Sequence, residues 1–341
     1  MAAKRQAPKP ISLNQEQQAV VSARLGTFQV VAGPGSGKSA CLVARFAELI
    51  SEGVSPNDLA SLSFTSTAAK NLKDRVEAIV GKLTTTRKAG ATTFHGLALD
   101  FAISERDHFP FALAEFPLAP EPLANKLSGL AARRYEVDPR ALRSVISVMK
   151  RERIRDSEAV KTAENKLDAA GLKYALAYRQ YQKALKENGV LDFDSLILEM
   201  VEILGKKPDV RKRWVRDFVM VDEAQDCAKI EWDLIKLISG RSLMAVGDIS
   251  QGLYSFRGSD PKLFAAMSEM FPGTQMLMLA RNYRSSPQIV DFIRPYAVSQ
   301  ELAEKFHTTN AAGPAPVIKG FPTTADEVKW VVEQIREGAR K

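Results

Sequence analysis

A short apolar run, Phe28 to Val31, gives way to Ala32-Gly33-Pro34-Gly35-Ser36-Gly37-Lys38-Ser39, and an apolar-periodic run from Ala40 to Ile50 follows. Strand, glycine loop and helix in that order constrain the fold more than any other stretch. In such a loop successive backbone N–H groups converge on a phosphate, and the helix N-terminus adds positive potential. Gly33, Gly35 and Gly37 keep Cβ atoms out of the way, with Ser36 between them. Lys38 would reach the β- and γ-phosphates and the Ser39 hydroxyl would ligate Mg²⁺. The pattern Gly-x-x-x-x-Gly-Lys-Ser/Thr asks for glycine at position 32, where this chain has Ala32. A glycine-rich turn with a chance lysine is the bland alternative, and a second site downstream decides between them.

Phe218-Val219-Met220-Val221 reads as a buried strand and ends in Asp222-Glu223-Ala224-Gln225-Asp226. An apolar strand that delivers an acidic pair at its end suits a magnesium–triphosphate. Asp222 would hold Mg²⁺ and Glu223 would polarise the attacking water. Without a cation the two carboxylates would repel each other.

Other apolar runs alternate with helical ones. Leu59 to Phe64, Ala91 to Phe94 and Leu243 to Val246 read as strands, and helices follow Thr65-Ser66-Thr67 and His95. This alternation predicts an α/β fold with a parallel, doubly wound sheet, whose ligands lie beyond the carboxyl ends of the strands. Phe64, Thr65 and His95 fall at such ends, where an aromatic ring beside hydrogen-bonding groups can stack a base. A core Phe with a capping Thr has the same letters. Asn14 with Gln17 forms a capping box before a helix, and the Gln17 amide could also read adenine.

Gln251 follows another strand end and could sense a γ-phosphate. Tyr254, Phe256 and Arg257 form a stacking and phosphate-binding cluster suited to single-stranded nucleic acid. Thr274 to Leu279 reads as a strand of a second unit, Ser286-Pro287 as a helix start, Pro316 to Phe321 as a strand, and Ala325 to Ile335 as a helix. Between 117 and 189 the alternation stops and basic residues gather on helices, among them Arg140, Arg143, Lys150, Arg151, Arg153, Arg155, Lys173 and Lys183. Phosphate contact and an ordinary solvated face fit that composition equally.

The chain has 341 residues, enough for two cores. Its net charge of +8 permits a polyanion partner. Cys41 and Cys227 sit in apolar-rich stretches and read as buried small hydrophobes, and a cytoplasmic location without a membrane span is expected.

Taken in order, LNQEQQAV, AGPGSGKS, SFTSTAAKNL, TTFHGLA, VDEAQD, GDISQGLYSFRG and LARNYRSS resemble the motifs of UvrD/PcrA/Rep-like superfamily 1 DNA helicases. The resemblance implies a RecA-like P-loop NTPase sheet with a helical insertion and a partial second RecA-like lobe. The corresponding division is a basic disordered tail (1–11), a first RecA-like domain in two parts (12–116 and 190–273), the insertion (117–189) and the partial second domain (274–341).

It also implies an ATP- and Mg²⁺-dependent translocase or helicase on single-stranded DNA, or on duplex with a single-stranded tail, moving 3′ to 5′. By position, Gln17 would read adenine and Tyr283 would stack on it. Lys38, Asp222, Glu223, Gln251 and Arg284 would be catalytic, Arg284 as an arginine finger. Phe64, Thr65, His95, Tyr254, Phe256 and Arg257 would line the strand's path. Ala40 replaces the arginine and Phe256 the tryptophan common in the family. No counterpart of motifs V and VI is found, which leaves open a truncated chain, a second chain supplying the other half, or a nucleotide-gated DNA-binding module with little turnover alone.

Overall fold

The computed structural model describes residues 12–83, 90–252, 260–296 and 300–338. The tail 1–11 and the cluster Tyr254, Phe256 and Arg257 lie outside the described residues. The chain opens with α1 (Gln15–Ser22), capped by the Asn14/Gln17 box expected of it, and β1 (Gly26–Ala32). Then come α2 (Lys38–Ser51), β2 (Leu59–Ser63), α3 (Ser66–Val80), β3 (Gly90–Thr93) and α4 (Phe94–Ser104). Four helices follow: α5 (Glu121–Arg134), α6 (Pro139–Arg151), α7 (Asp156–Asn165) and α8 (Ala169–Glu187). The α/β pattern resumes with α9 (Phe193–Lys206), α10 (Pro208–Trp214), β4 (Arg216–Val221), α11 (Lys229–Ile238) and β5 (Ser239–Gly247).

Short helices α12 (Pro261–Ala265) and α13 (Met267–Met270) lead to β6 (Gln275–Leu279). The remainder is β7 (Arg281–Asn282), α14 (Pro287–Ile293), α15 (Gln300–Lys305), β8 (His307–Thr308) and α16 (Thr324–Gly338).

Six strands form one parallel sheet in the order β3-β2-β4-β5-β1-β6. Side chains alternate across it. Leu62, Val219, Val221, Leu243 and Ala245 enter the core shared with α4, α9 and α11. Leu59, Phe218, Met220, Met244 and Val246 enter the other, shared with α1, α2 and α3. Burial on both faces explains why these strands read as unbroken apolar runs. Because every strand runs the same way, all the strand-end residues singled out above emerge along one edge.

The insertion has its own core, built on Leu142, Ile146, Tyr178 and Tyr181. Its entry and exit are tied: Leu191 N–H donates to the Pro117 carbonyl at 2.7 Å and Ala119 N–H to that of Leu191 at 2.8 Å.

Two expectations about the later chain need correction. The strand at 274–279 does not open a second unit: β6 pairs with β1 in register Phe28↔Gln275 to Ala32↔Leu279, as the edge of the first sheet. A strand's own pattern says nothing about which sheet it joins. Residues 316–321 are not a strand either. They are exposed and irregular, since a strand needs a neighbour and the pair nearest in sequence, β7 with β8, is only two residues long.

Candidate active site

The loop between β1 and α2 is turned inside out with respect to its hydrogen bonds. Each carbonyl from residue 33 to 37 is already taken. Gly33 O accepts from the Ser36 hydroxyl at 2.7 Å, Pro34 O from Asn282 Nδ2 at 2.7 Å, and Gly35 O from Tyr283 N–H at 2.8 Å. Ser36 O accepts from Gln17 Nε2 at 3.1 Å, and Gly37 O from the Ala40 and Cys41 amides. Gly33 N–H is taken by Leu279 O and Ser36 N–H by Gly33 O; with the carbonyls engaged, the remaining amides of the loop are the ones suited to an anion. Gly35 and Gly37 sit at φ 69° and 87°, where L side chains are strained. A Cβ on Gly35 would also stand 2.8 Å from Asn282 Nδ2, and one on Gly37 2.9 Å from Gln17 Nε2.

Facing the loop is the end of β4. Lys38 Nζ lies 3.6 Å from Glu223 Oε2, although 185 positions separate them in the chain. Asp222 is buried, donates its N–H to Leu62 O at 2.9 Å, and accepts from the Ser39 hydroxyl. Burial, then the neighbouring Glu223 carboxylate, lifts the Asp222 pKa to about 6 against the pull of Lys38. Asp226 is raised to about 6 by the same two causes. The Asp222, Glu223 and Asp226 carboxylates thus feel one another and a single lysine, which leaves Asp222 a hard oxygen donor short of positive charge. Together with the Ser39 hydroxyl this suits a Mg²⁺ carried in on phosphates. Glu223 itself is a backbone outlier, with φ 52° and ψ 46°, in the left-handed region that a glutamate seldom occupies.

Sequence reasoning passed over Gln225. Its Nε2 donates to Glu223 Oε2 at 3.1 Å and its Oε1 accepts from Asp248 N–H at 3.0 Å. Asp248 Oδ2 in turn accepts from Gln251 Nε2 at 2.6 Å. Gln251 is therefore joined to Glu223 through two intervening residues, Asp248 by its carboxylate and backbone N–H and Gln225 by its amide. Gly247 makes room for this chain, since a Cβ there would lie 2.6 Å from Gln225 Oε1. The only sequence signal was an amide lodged between an acidic pair and the next strand end.

Gln17 and Tyr283 meet: the tyrosine hydroxyl lies 3.5 Å from Gln17 Oε1, which also accepts from Asn14 N–H at 3.1 Å. Both ends of the Gln17 amide are thus held by protein. Arg281 lies over the exposed Tyr283 ring, 5.0 Å from its centroid. Arg284 is exposed, with its Cβ against Gly35.

Further along the same edge, a cavity of about 220 Å³ opens at the ends of β2 and β3. Phe64, Thr65 and His95 line it, with Phe94, Arg151 and Asp226. Thr65 also caps α3 through Ala68 N–H at 3.1 Å. His95 stacks on Phe193 with centroids 3.6 Å apart and planes 13° from parallel. Burial, with the Arg151 charge, pushes the His95 pKa down to about 3, so the ring stays neutral.

Four basic residues of the insertion, between 150 and 155, turn towards the main fold. Lys150 pairs with Asp192, Arg151 with Asp194, Arg153 with Glu202 and Asp233, and Arg155 with Glu199. Lys173 and Lys183 pair with Glu136 and Glu187. The first four clamp the insertion to α9 and α11, whereas Arg140, Arg143, Lys173 and Lys183 stay exposed. Cys41 and Cys227 are both buried, as expected. No described helix is long and apolar enough to cross a membrane.

Residues 13–272 match the family model of the UvrD/REP helicase N-terminal domain. Similar proteins include the ATP-dependent DNA helicase PcrA of Staphylococcus epidermidis, 29% identical over 96% of this chain and 46% of the relative. PcrA of Leuconostoc citreum is 28% identical over 95% and 44%, respectively. The ATP-dependent DNA helicase srs2 of Schizosaccharomyces pombe is 29% identical over 95% and 39%. The chain spans less than half the length of these curated relatives.

Proposed function

From the premise that this chain belongs to the UvrD/REP helicase family, we propose that it is the ATP-binding portion of a DNA helicase that travels 3′ to 5′ on single-stranded DNA. The observation that carries the reading is the meeting of Lys38 and Ser39 with Glu223 and Asp222 from the far side of the sheet. The loop amides and Lys38 hold the triphosphate. Ser39 and Asp222 hold Mg²⁺, which when bound neutralises phosphate charge. Glu223 orients and deprotonates the attacking water, and Arg284 meets the charge that develops on the γ-phosphate. Tyr283 stacks on adenine, and Gln17 reads its edge after exchanging a protein partner for the base. Gln251 reports the γ-phosphate, and Gln225 carries that report to Glu223. The DNA strand lies over Phe64, Thr65, His95 and Phe193, and continues to Tyr254, Phe256 and Arg257.

The test is phosphate release from ATP with and without single-stranded DNA. The chain should hydrolyse ATP, faster with DNA, and Lys38→Ala should lower the rate by about a hundredfold or more. Hydrolysis untouched by that change would exclude the site. Nucleotide-dependent DNA affinity with phosphate release at background would make the chain a gated binding module instead.

A further inference from the structure

α9 begins at the strand-end cavity with Phe193 and, at about 1.5 Å per residue, ends about 20 Å away. A separate cavity, of about 460 Å³, opens along its second half. Glu199, Glu202, Ile203 and Lys206 line it at the i, i+3, i+4, i+7 spacing of one helix face. Phe109 and Pro110, from the segment after α4, form a second wall, and Arg155 and Lys186 of the insertion a third. The cavity is therefore a seam between the insertion and the main fold. α4 starts at the carboxyl end of β3 and runs back along the sheet, so this seam lies away from the edge that carries the phosphate loop. Its volume falls within the roughly 300–1,000 Å³ usual for ligand clefts.

Charge narrows the ligand. Both carboxylates in the lining are already engaged, Glu199 with Arg155 and Glu202 with Arg153 and Lys206. Lys186 and Lys207 are exposed, and among the described residues neither has a carboxylate within ion-pair distance. Lys207 Nζ donates to the His108 carbonyl at 3.3 Å, which holds it at the mouth. The Lys206 side chain is 76% exposed, so its pair with Glu202 exchanges at little cost. Three lysines thus stand over a floor of Phe109, Pro110 and Ile203. A phosphate backbone offers charge but nothing for that floor, and it would pass close to Glu199 and Glu202. A peptide with several carboxylates and one large apolar side chain satisfies both.

We propose that this seam docks an acidic segment of a protein partner, its carboxylates on Lys186, Lys206 and Lys207 and an apolar side chain against Pro110 and Ile203. An occupant there ties the insertion to the main fold at a point remote from the nucleotide and from the strand. Fluorescence anisotropy of a labelled peptide, Gly-Gly-Asp-Asp-Asp-Phe, on the full chain tests it. The peptide should bind saturably and lose affinity as salt rises. Affinity should fall about tenfold or more in the double variant Lys186→Ala, Lys207→Ala, and again when serines replace the peptide's aspartates. Both lysines are exposed, so the double variant should keep the wild-type melting temperature and nucleotide affinity.

The same peptide with benzoylphenylalanine in place of phenylalanine needs no variant, and should photo-crosslink wild-type chain at Pro110 or Ile203. No saturable binding, equal affinity in wild type and double variant, or crosslinks confined to other surfaces would overturn the proposal. Displacement of the peptide by duplex DNA, with a matching loss of duplex affinity in the double variant, would also overturn it, by assigning the seam to nucleic acid.

Discussion

Glu223 spends conformational energy to stand where it does. A non-glycine residue held in the left-handed region costs on the order of 1 kcal/mol, and the Asp222 carboxylate beside it adds repulsion. Such strain persists where function requires it. Glu223→Gly should therefore raise the melting temperature of the nucleotide-free protein by about two degrees while removing hydrolysis, as read by calorimetry and phosphate release. A lower melting temperature would mean that the backbone is not strained there. That Lys38, Ser39, Asp222 and Glu223 would meet was legible in the sequence, because phosphate and metal chemistry would demand those residue types at strand ends. Gln225 and Phe193 were not. Their roles depend on which side chains of other elements stand opposite them, and no local pattern carries that.

At the scale of elements, α6 is fastened to α9 by a buried ion pair. Lys150 Nζ lies 2.6 Å from Asp192 Oδ2 and 2.8 Å from the Ser195 hydroxyl, and Asp192 caps α9 by accepting from Ser195 N–H. Removing the cation would leave a buried carboxylate uncompensated. Lys150→Met should cost about 3–5 kcal/mol in denaturant unfolding, and adding Asp192→Asn should recover part of it. Equal stability of the single variant and the wild type would contradict this.

The start of α11 carries a pH dependence. Burial lifts the Glu231 carboxyl from its ordinary range to about 7, although Arg151 and the amides it meets oppose the shift. The folded chain then holds a proton that the unfolded chain releases, so this contribution is complete below pH 4.5 and fades as pH rises towards 7. Glu231→Gln keeps an acceptor for Ala228 N–H and should flatten the fall in melting temperature between pH 5 and 7. An unchanged slope would place the effect elsewhere. Sequence periodicity located most of these elements, yet it misjudged what they join. The basic residues 150–155 looked available for phosphate because their carboxylate partners lie 40 to 80 positions away.

For the molecule as a whole, parallel strand order does most of the organising. It brings the phosphate loop, the acidic pair, Gln251 and the aromatic ends of β2 and β3 onto one edge, and it adds β6 beside β1 so that Asn282 and Tyr283 brace the loop. The α/β class, and the gathering of the candidate site residues at strand ends, were legible from the alternation of apolar runs. The sheet that β6 joins was not, because strand pairing is decided by the crossover and by competing edges. The central claim is that the phosphate loop and the acidic pair act as one receptor for a magnesium–nucleoside triphosphate. Equilibrium titration of the full chain with a fluorescent ATP analogue tests this most directly, run with Mg²⁺, with chelator, and with Lys38→Ala. The account predicts saturable one-to-one binding that weakens at least tenfold on chelation and at least tenfold in the variant. Binding of equal strength in all three would contradict it.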